Sequence, residues 1–124
     1  MKRLFICCIL LACACQDNEP DAPGLLTDEA QQIGSASVVM GANIKAVGPV
    51  RPINYGFLWD TNQDLTVINA KKKVVLGSTN EPRTFSIKVD NLISSTPYYY
   101  RAFAANDGYT KIYYGNVVSF TTLP

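Results

Sequence analysis

Apolar residues alternate with polar ones along most of this chain, and clusters of turn-forming residues separate the alternating segments. Val38, Met40, Ala42 and Ile44, for example, all fall on one face of an extended chain. Successive side chains of a β-strand point to opposite faces, so this pattern predicts strands with one buried face. Residues 25–124 show no 3.6-residue period of the kind typical of an amphipathic helix. The pattern therefore predicts an all-β fold.

Turn signals such as Gly48-Pro49 and Asn106-Asp107-Gly108 divide the alternating region into seven segments. The predicted strands lie near residues 28–33, 37–44, 54–60, 73–77, 84–89, 97–106 and 113–122. Seven short strands in about 100 residues are typical of an immunoglobulin-like antiparallel β-sandwich. Residues 25–124 are long enough to bury one core, and we expect a single domain there. The run Lys71-Lys72-Lys73 leads into the fourth strand and indicates a solvated sheet edge.

The segment LISSTPYYYRA, residues 92–102, places Leu92 six positions before Tyr98. This spacing resembles the fibronectin type III pattern, in which a leucine precedes the tyrosine that opens strand F. The resemblance implies a fibronectin type III-like sandwich. It also implies that Tyr98 forms a tyrosine corner, with its hydroxyl bonded to backbone a few residues upstream.

The final segment, YYYRAFAANDGYTKIYYGNVVSFTTLP, resembles repeats that are common in secreted Bacteroidetes proteins. The run Gly56-Phe57-Leu58-Trp59 resembles strand C of the same repeats. Many fibronectin type III domains place a buried tryptophan on strand B, where this chain has Met40 and Ala42. We therefore expect Trp59 to supply the large core aromatic.

The first fifteen residues, MKRLFICCILLACAC, contain a basic start, a short apolar run and all four cysteines. A stable membrane-spanning helix needs about 20 apolar residues, and this run is much shorter. A short apolar run after basic residues predicts a cleaved export signal. Because two of the cysteines would leave with this signal and another would carry lipid, we expect no disulfide in the folded domain.

The end of this signal resembles the lipobox of bacterial lipoproteins, in which a small residue precedes the cysteine that becomes acylated. Cys13 has the better apolar residue upstream, whereas Cys15 is followed by Gln-Asp-Asn-Glu, which resembles the tract of Bacteroidetes surface lipoproteins. We favour Cys15 over Cys13; an ordinary secretory signal is the alternative. The resemblance implies a lipid anchor in the outer membrane, exposed at the cell surface, with residues 16–24 as an acidic, proline-containing, disordered tether.

The composition argues against catalysis and against nucleic-acid binding. The chain has no histidine, and residues 25–124 have no cysteine and carry nine Lys and Arg against seven Asp and Glu. Residues 60–64 begin like a calcium loop, but Leu65 and Lys71 occupy the positions of the glycine and the bidentate glutamate. We predict a polar turn there, and neither a metal site nor a cofactor site.

Aromatic residues are the remaining candidates for function. Tyr99, Arg101 and Phe103 share the face of the sixth strand opposite Tyr98, and Tyr109 follows in the next hairpin. One interpretation is that these side chains form cross-strand pairs that stabilise the sheet. The other is that they form an exposed binding surface.

These observations predict a non-catalytic envelope lipoprotein that binds protein partners and meets the membrane only through its N-terminal lipid. The alternative is an accessory module that binds a surface polysaccharide through the outward aromatic residues. A remnant of a longer protein, with no role of its own, is a third hypothesis.

Overall fold

The computed structural model describes residues 22–124, which form eight strands and no helix that could span a membrane. The strands are β1 (Gly24–Thr27), β2 (Val38–Ala46), β3 (Ile53–Asp60), β4 (Lys72–Thr79), β5 (Arg83–Val89), β6 (Pro97–Ala105), β7 (Ile112–Tyr114) and β8 (Val118–Thr121). The first sheet has the order β1-β2-β5. The second has the order β4-β3-β6, and both β7 and β8 pair with β6. Every pairing is antiparallel, so the predicted all-β sandwich is confirmed.

The structure corrects the predicted strands at the two ends of the domain. The predicted first strand near 28–33 forms only an isolated bridge between Gln31 and Val39. The first strand is instead β1, because Leu25 packs against the core and Thr27 is buried. Gly24, assigned to the tether, already pairs with Ala46. The predicted last strand is divided into β7 and β8 by residues 115–117. Residues 1–21, including Cys13 and Cys15, lie outside the described part of the chain.

The main core lies between the two sheets and is rich in aromatic residues. Phe57 and Tyr100 are fully buried at its centre, with ring centroids 6.0 Å apart. Burial, followed by the charges of Asp28 and Glu29, raises the pKa of the Tyr100 phenol, whose hydroxyl donates a hydrogen bond to the Asp28 carbonyl. The expectation for Trp59 was wrong in degree, because this side chain is only partly buried at the margin of the core.

β3 and β4 approach closely at Gly56. A Cβ atom at this position would lie 1.8 Å from the Val74 carbonyl oxygen, so only glycine allows β4 to come so near. The register of β4 shifts beside it, because Tyr55 faces Gly77 whereas Gly56 faces Val75. β4 is therefore an edge strand that carries a β-bulge, and its residues Lys72 and Lys73 are exposed as predicted.

The two ends of the sandwich have different elements. The chain enters at what we call the proximal end, where Gly24 pairs with Ala46. At the opposite, distal end, Asp60 pairs with Tyr99 and Pro97 pairs with Thr121. β2 has nine residues, so the two ends are about 30 Å apart.

Candidate functional site

The aromatic surface predicted on β6 is not open. Phe103 is fully buried, as are Leu58 and Leu65, and these three side chains form a second apolar cluster on the outer face of the second sheet. Residues 61–71, between β3 and β4, fold back over this face and bring Leu65 onto it. The interpretation that places Phe103 on an exposed binding surface is therefore wrong, because a loop covers the sheet face that the alternation assigned to solvent. We call this cluster the outer core.

Hydrogen bonds from both ends of the covering loop hold it in place. One carboxylate oxygen of Asp60 accepts from the Thr61 amide at 2.6 Å, and the other accepts from the Lys71 amide at 3.1 Å. The Tyr114 hydroxyl accepts from the Val67 amide at 3.0 Å. Asp60 thus closes the loop by binding backbone amides. Within residues 22–124, no group of three or more metal-ligating His, Cys, Asp or Glu side chains occurs.

Arg101 joins the covering loop to the last strands. Its Nε donates to the Gly115 carbonyl at 2.9 Å, and its Nη1 donates to the Leu65 carbonyl at 3.1 Å. The guanidinium also lies 4.8 Å from the centroid of the Tyr114 ring. Burial lowers the pKa of Arg101, against the opposing effect of Tyr114. Through these contacts, Arg101 links the covering loop, Gly115 and Tyr114 within the domain.

Tyr99 and Tyr109 are partly buried and pack against the outer core. The ammonium of Lys73 lies 5.3 Å from the centroid of the Tyr109 ring and covers this side chain further. The four residues predicted as a binding surface are therefore brought together, but as a packed cluster with one polar clamp.

The tyrosine-corner residues hold the loop of residues 90–96 at the distal end. The Tyr98 hydroxyl accepts a hydrogen bond from the Ile93 amide at 2.9 Å, and the amide of the buried Leu92 donates to the Ala36 carbonyl at 3.0 Å. The Thr122 hydroxyl donates to the Ile93 carbonyl at 2.6 Å. Both backbone groups of Ile93 are thus held by side chains, one from β6 and one from the residue that follows β8.

A groove of about 390 Å³ opens between this loop and the start of β4. The partly buried Trp59 and the buried Tyr98 line it from the sandwich interior, and Lys72, Asp90 and Ile93 lie at its rim. We call it the distal groove. Ile93 is 65% exposed even though its backbone is held in place. The groove thus offers an apolar surface beside charged groups of both signs.

Sequence reasoning missed the distal groove because its walls come from segments about 30 residues apart. The only local signal is an apolar residue, Ile93, inside the turn-forming run Asn91-Leu92-Ile93-Ser94-Ser95. An exposed aliphatic residue in such a turn contributes nothing to the core, and this could have marked it as a candidate.

The fold is similar to that of several solved β-sandwiches. A sensor domain of the anti-sigma factor RsgI4 from Pseudobacteroides cellulosolvens aligns with a TM-score of 0.59 and 16% identity, over 82% of this chain and 94% of that one. The fibronectin type III domain of human fibronectin type III domain containing protein 3 aligns with a TM-score of 0.53 and 18% identity, over 87% of this chain and 90% of that one. No protein-family model and no curated protein matches the sequence. These likenesses establish a fibronectin type III-like β-sandwich.

Proposed function

We propose that this chain is a non-catalytic binding module of the bacterial cell envelope and that it binds protein partners at the distal groove. The observation that carries the proposal is Ile93, a large aliphatic side chain that is 65% exposed on a loop fixed by hydrogen bonds. A rigid apolar anchor loses little conformational entropy when it binds, so more of its burial energy contributes to affinity.

The rim of the groove suits a protein interface. Lys72 and Asp90 flank the apolar residues, and an apolar centre with a polar rim is the usual arrangement of protein–protein contacts. Solved structures of this fold include a domain named as the sensor of an anti-sigma factor, which supports a role in recognition.

The position of the groove also suits a lipid-anchored module. We propose that Cys15, or Cys13 in the other frame, carries the lipid and that residues 16–24 connect it to β1. Because the chain enters β1 at the proximal end, the distal groove would then face away from the outer membrane. Mass spectrometry of the mature protein tests the anchor: an acylated N-terminal cysteine is expected, and an unmodified terminus at another residue would contradict it.

Crosslinking tests the proposed surface. A photo-crosslinking amino acid replaces either Ile93 or Ile68, an aliphatic residue that is 87% exposed on the covering loop. Illumination of intact cells should give a discrete adduct with one envelope protein from position 93 and none from position 68. Equal capture from both positions, or no adduct from either, would contradict a protein-binding distal groove.

A polysaccharide ligand is the second candidate, because Trp59 in this groove offers an aromatic ring beside the polar side chains of Asp90 and Asn91. Trp59 is the only tryptophan of the chain, so its fluorescence reports on the groove directly. A saturable change in its emission with a purified surface polysaccharide would favour this candidate over protein binding. Unchanged emission across a panel of polysaccharides would count against it.

A further inference from the structure

Within residues 22–124, β8 pairs only with β6, and its outer edge faces no other strand. Beyond β8, the Thr122 amide donates to the Thr96 carbonyl at 3.0 Å, and the Leu123 amide donates to the Gly34 carbonyl at 2.9 Å. Backbone groups alternate in direction along a strand, so those of Phe120 also face β6 and those of Ser119 and Thr121 face away. Within residues 22–124, the amides and carbonyls of Ser119 and Thr121 have no hydrogen-bond partner.

The outer edges of β4, β5 and β1 are protected. β4 carries Lys72 and Lys73 and a β-bulge, and β5 carries Arg83 and Lys88. Both outward backbone groups of Thr27 on β1 are bonded to the Asn116 side chain, at 2.8 and 3.1 Å. β8 has no charged residue, no proline and no bulge, which are the devices that normally prevent strand addition.

A groove of about 550 Å³ runs along this edge, and we call it the lateral groove. One wall is β8 with Val118 and Ser119, and the opposite wall is the segment after β1, with Ala30 and Ile33. Among residues 22–124, Glu29 is the only charged residue that lines it. The groove thus combines free strand-pairing groups, apolar side chains and one negative charge.

We propose that the lateral groove binds an extended peptide segment of a partner protein, which adds to β8 as a further antiparallel strand. The main-chain groups of Ser119 and Thr121 would bond the peptide, and its alternate side chains would pack on Ile33 and Val118. Because Glu29 supplies the only charge, the segment carries alternating apolar residues and a basic residue. The inference rests on the proposed binding role but concerns a different surface.

The probe is a phage-displayed library of random dodecapeptides, selected on the full-length protein in detergent. Enriched peptides should share alternating apolar positions with a lysine or arginine. When such a peptide binds the wild-type protein, hydrogen exchange should slow at the amides of Ser119 and Thr121 and stay unchanged at Val75 of β4. This readout requires no variant of the protein.

Two substitutions provide a matched control. Ser119→Pro removes an amide that faces away from β6, at an edge position where proline is tolerated, and should weaken peptide binding about tenfold. Ser119→Ala keeps the amide and should bind like the wild type. Three results would overturn the proposal: no enriched peptide, equal binding by both variants, or slowed exchange at Ser119 that depends on protein concentration without peptide. The last result would assign the edge to a second copy of the chain. The Ile93 crosslink is independent of all three.

Discussion

The main core and the outer core lie on opposite faces of the same two strands, β3 and β6. In the main core, Phe57 packs against Tyr100 of its own sheet and against Phe85 of the other sheet, and both walls are regular strands. In the outer core, Phe103 and Leu58 meet Leu65, which comes from an irregular loop. Both clusters contain fully buried residues, but only the main core is held by two sheets.

From this difference we infer that a residue can be fully buried without controlling the cooperative unfolding of the whole domain. Loss of packing in the main core separates the sheets, so the whole domain should unfold. Loss of packing in the outer core releases the covering loop, and the sheets can remain paired. The predictions below test this separation, from the largest expected effect to the smallest.

Phe57→Ala should have the largest effect, because it leaves a cavity beside Phe85 and Tyr100 at the centre of the main core. We expect a loss of about 3–5 kcal/mol in the free energy of unfolding. Urea denaturation followed by Trp59 fluorescence and by circular dichroism should show coincident transitions. A loss below about 1 kcal/mol would show that this core does not control global stability.

Leu65→Ala should lower the free energy of unfolding less, by about 2 kcal/mol, because the covering loop can partly collapse into the cavity that the smaller side chain leaves. Hydrogen exchange should accelerate at the Val67 and Ala70 amides, which bond to Tyr114 and Thr66, and stay slow in β2. Ile68→Ala is the control, since this side chain is 87% exposed and should matter little. Faster exchange throughout the sheets would contradict the separation and would show that the two cores unfold as one cooperative unit.

The main core could be predicted from the sequence, whereas the outer core could not. Alternation predicted the inward faces of β2, β3 and β6, because a strand that packs on one sheet repeats every two residues. The same rule assigned Phe103 to solvent, since alternation cannot show that a loop returns over the other face. Leu65 and Val67 were the available signal: both are apolar in a segment interpreted as a polar turn. Trp59 was placed on the correct face, but its position at the open end depends on how the sheets stack.

The predicted strand boundaries failed for a related reason. β1 is only four residues long, and Thr27 is stabilised there by the distant Asn116. Such a contact spans 89 positions and leaves no local pattern. The distal groove left only one local signal, the apolar Ile93 in a turn, because the groove depends on the mutual placement of separate segments.

Tyr98→Phe and Tyr114→Phe form a matched pair, since each removes a hydroxyl that accepts one backbone amide. Tyr98→Phe should lower the free energy of unfolding by about 1.5 kcal/mol, because the Ile93 amide, held within the loop of residues 90–96, loses its partner. Tyr114→Phe should cost about 0.5–1 kcal/mol, since the Val67 amide can turn towards water in the released loop. Thermal denaturation measures both. A larger loss of stability for Tyr114→Phe than for Tyr98→Phe would contradict the view that the covering loop can be released while the sheets stay paired.

Lys73→Ala should have the smallest effect, about 0.5 kcal/mol, through loss of the contact between its ammonium and the Tyr109 ring. Lys88→Ala is the control, because its ion pair with Asp90 spans 3.9 Å between two exposed side chains and should contribute nothing measurable. Urea midpoints in low salt measure both variants. A larger loss of stability for Lys88→Ala than for Lys73→Ala would contradict a stabilising contact between Lys73 and Tyr109.

Hydroxyl-radical footprinting of the full-length protein, read residue by residue with mass spectrometry, tests the central claim most directly. The outer face of the second sheet is closed and the distal end is open, so Phe103 should remain unmodified while Ile93 oxidises rapidly. Oxidation of Phe103 at a rate comparable to that of Ile93 would contradict the account. That result would favour the other interpretation, in which the aromatic face of β6 is an exposed binding surface.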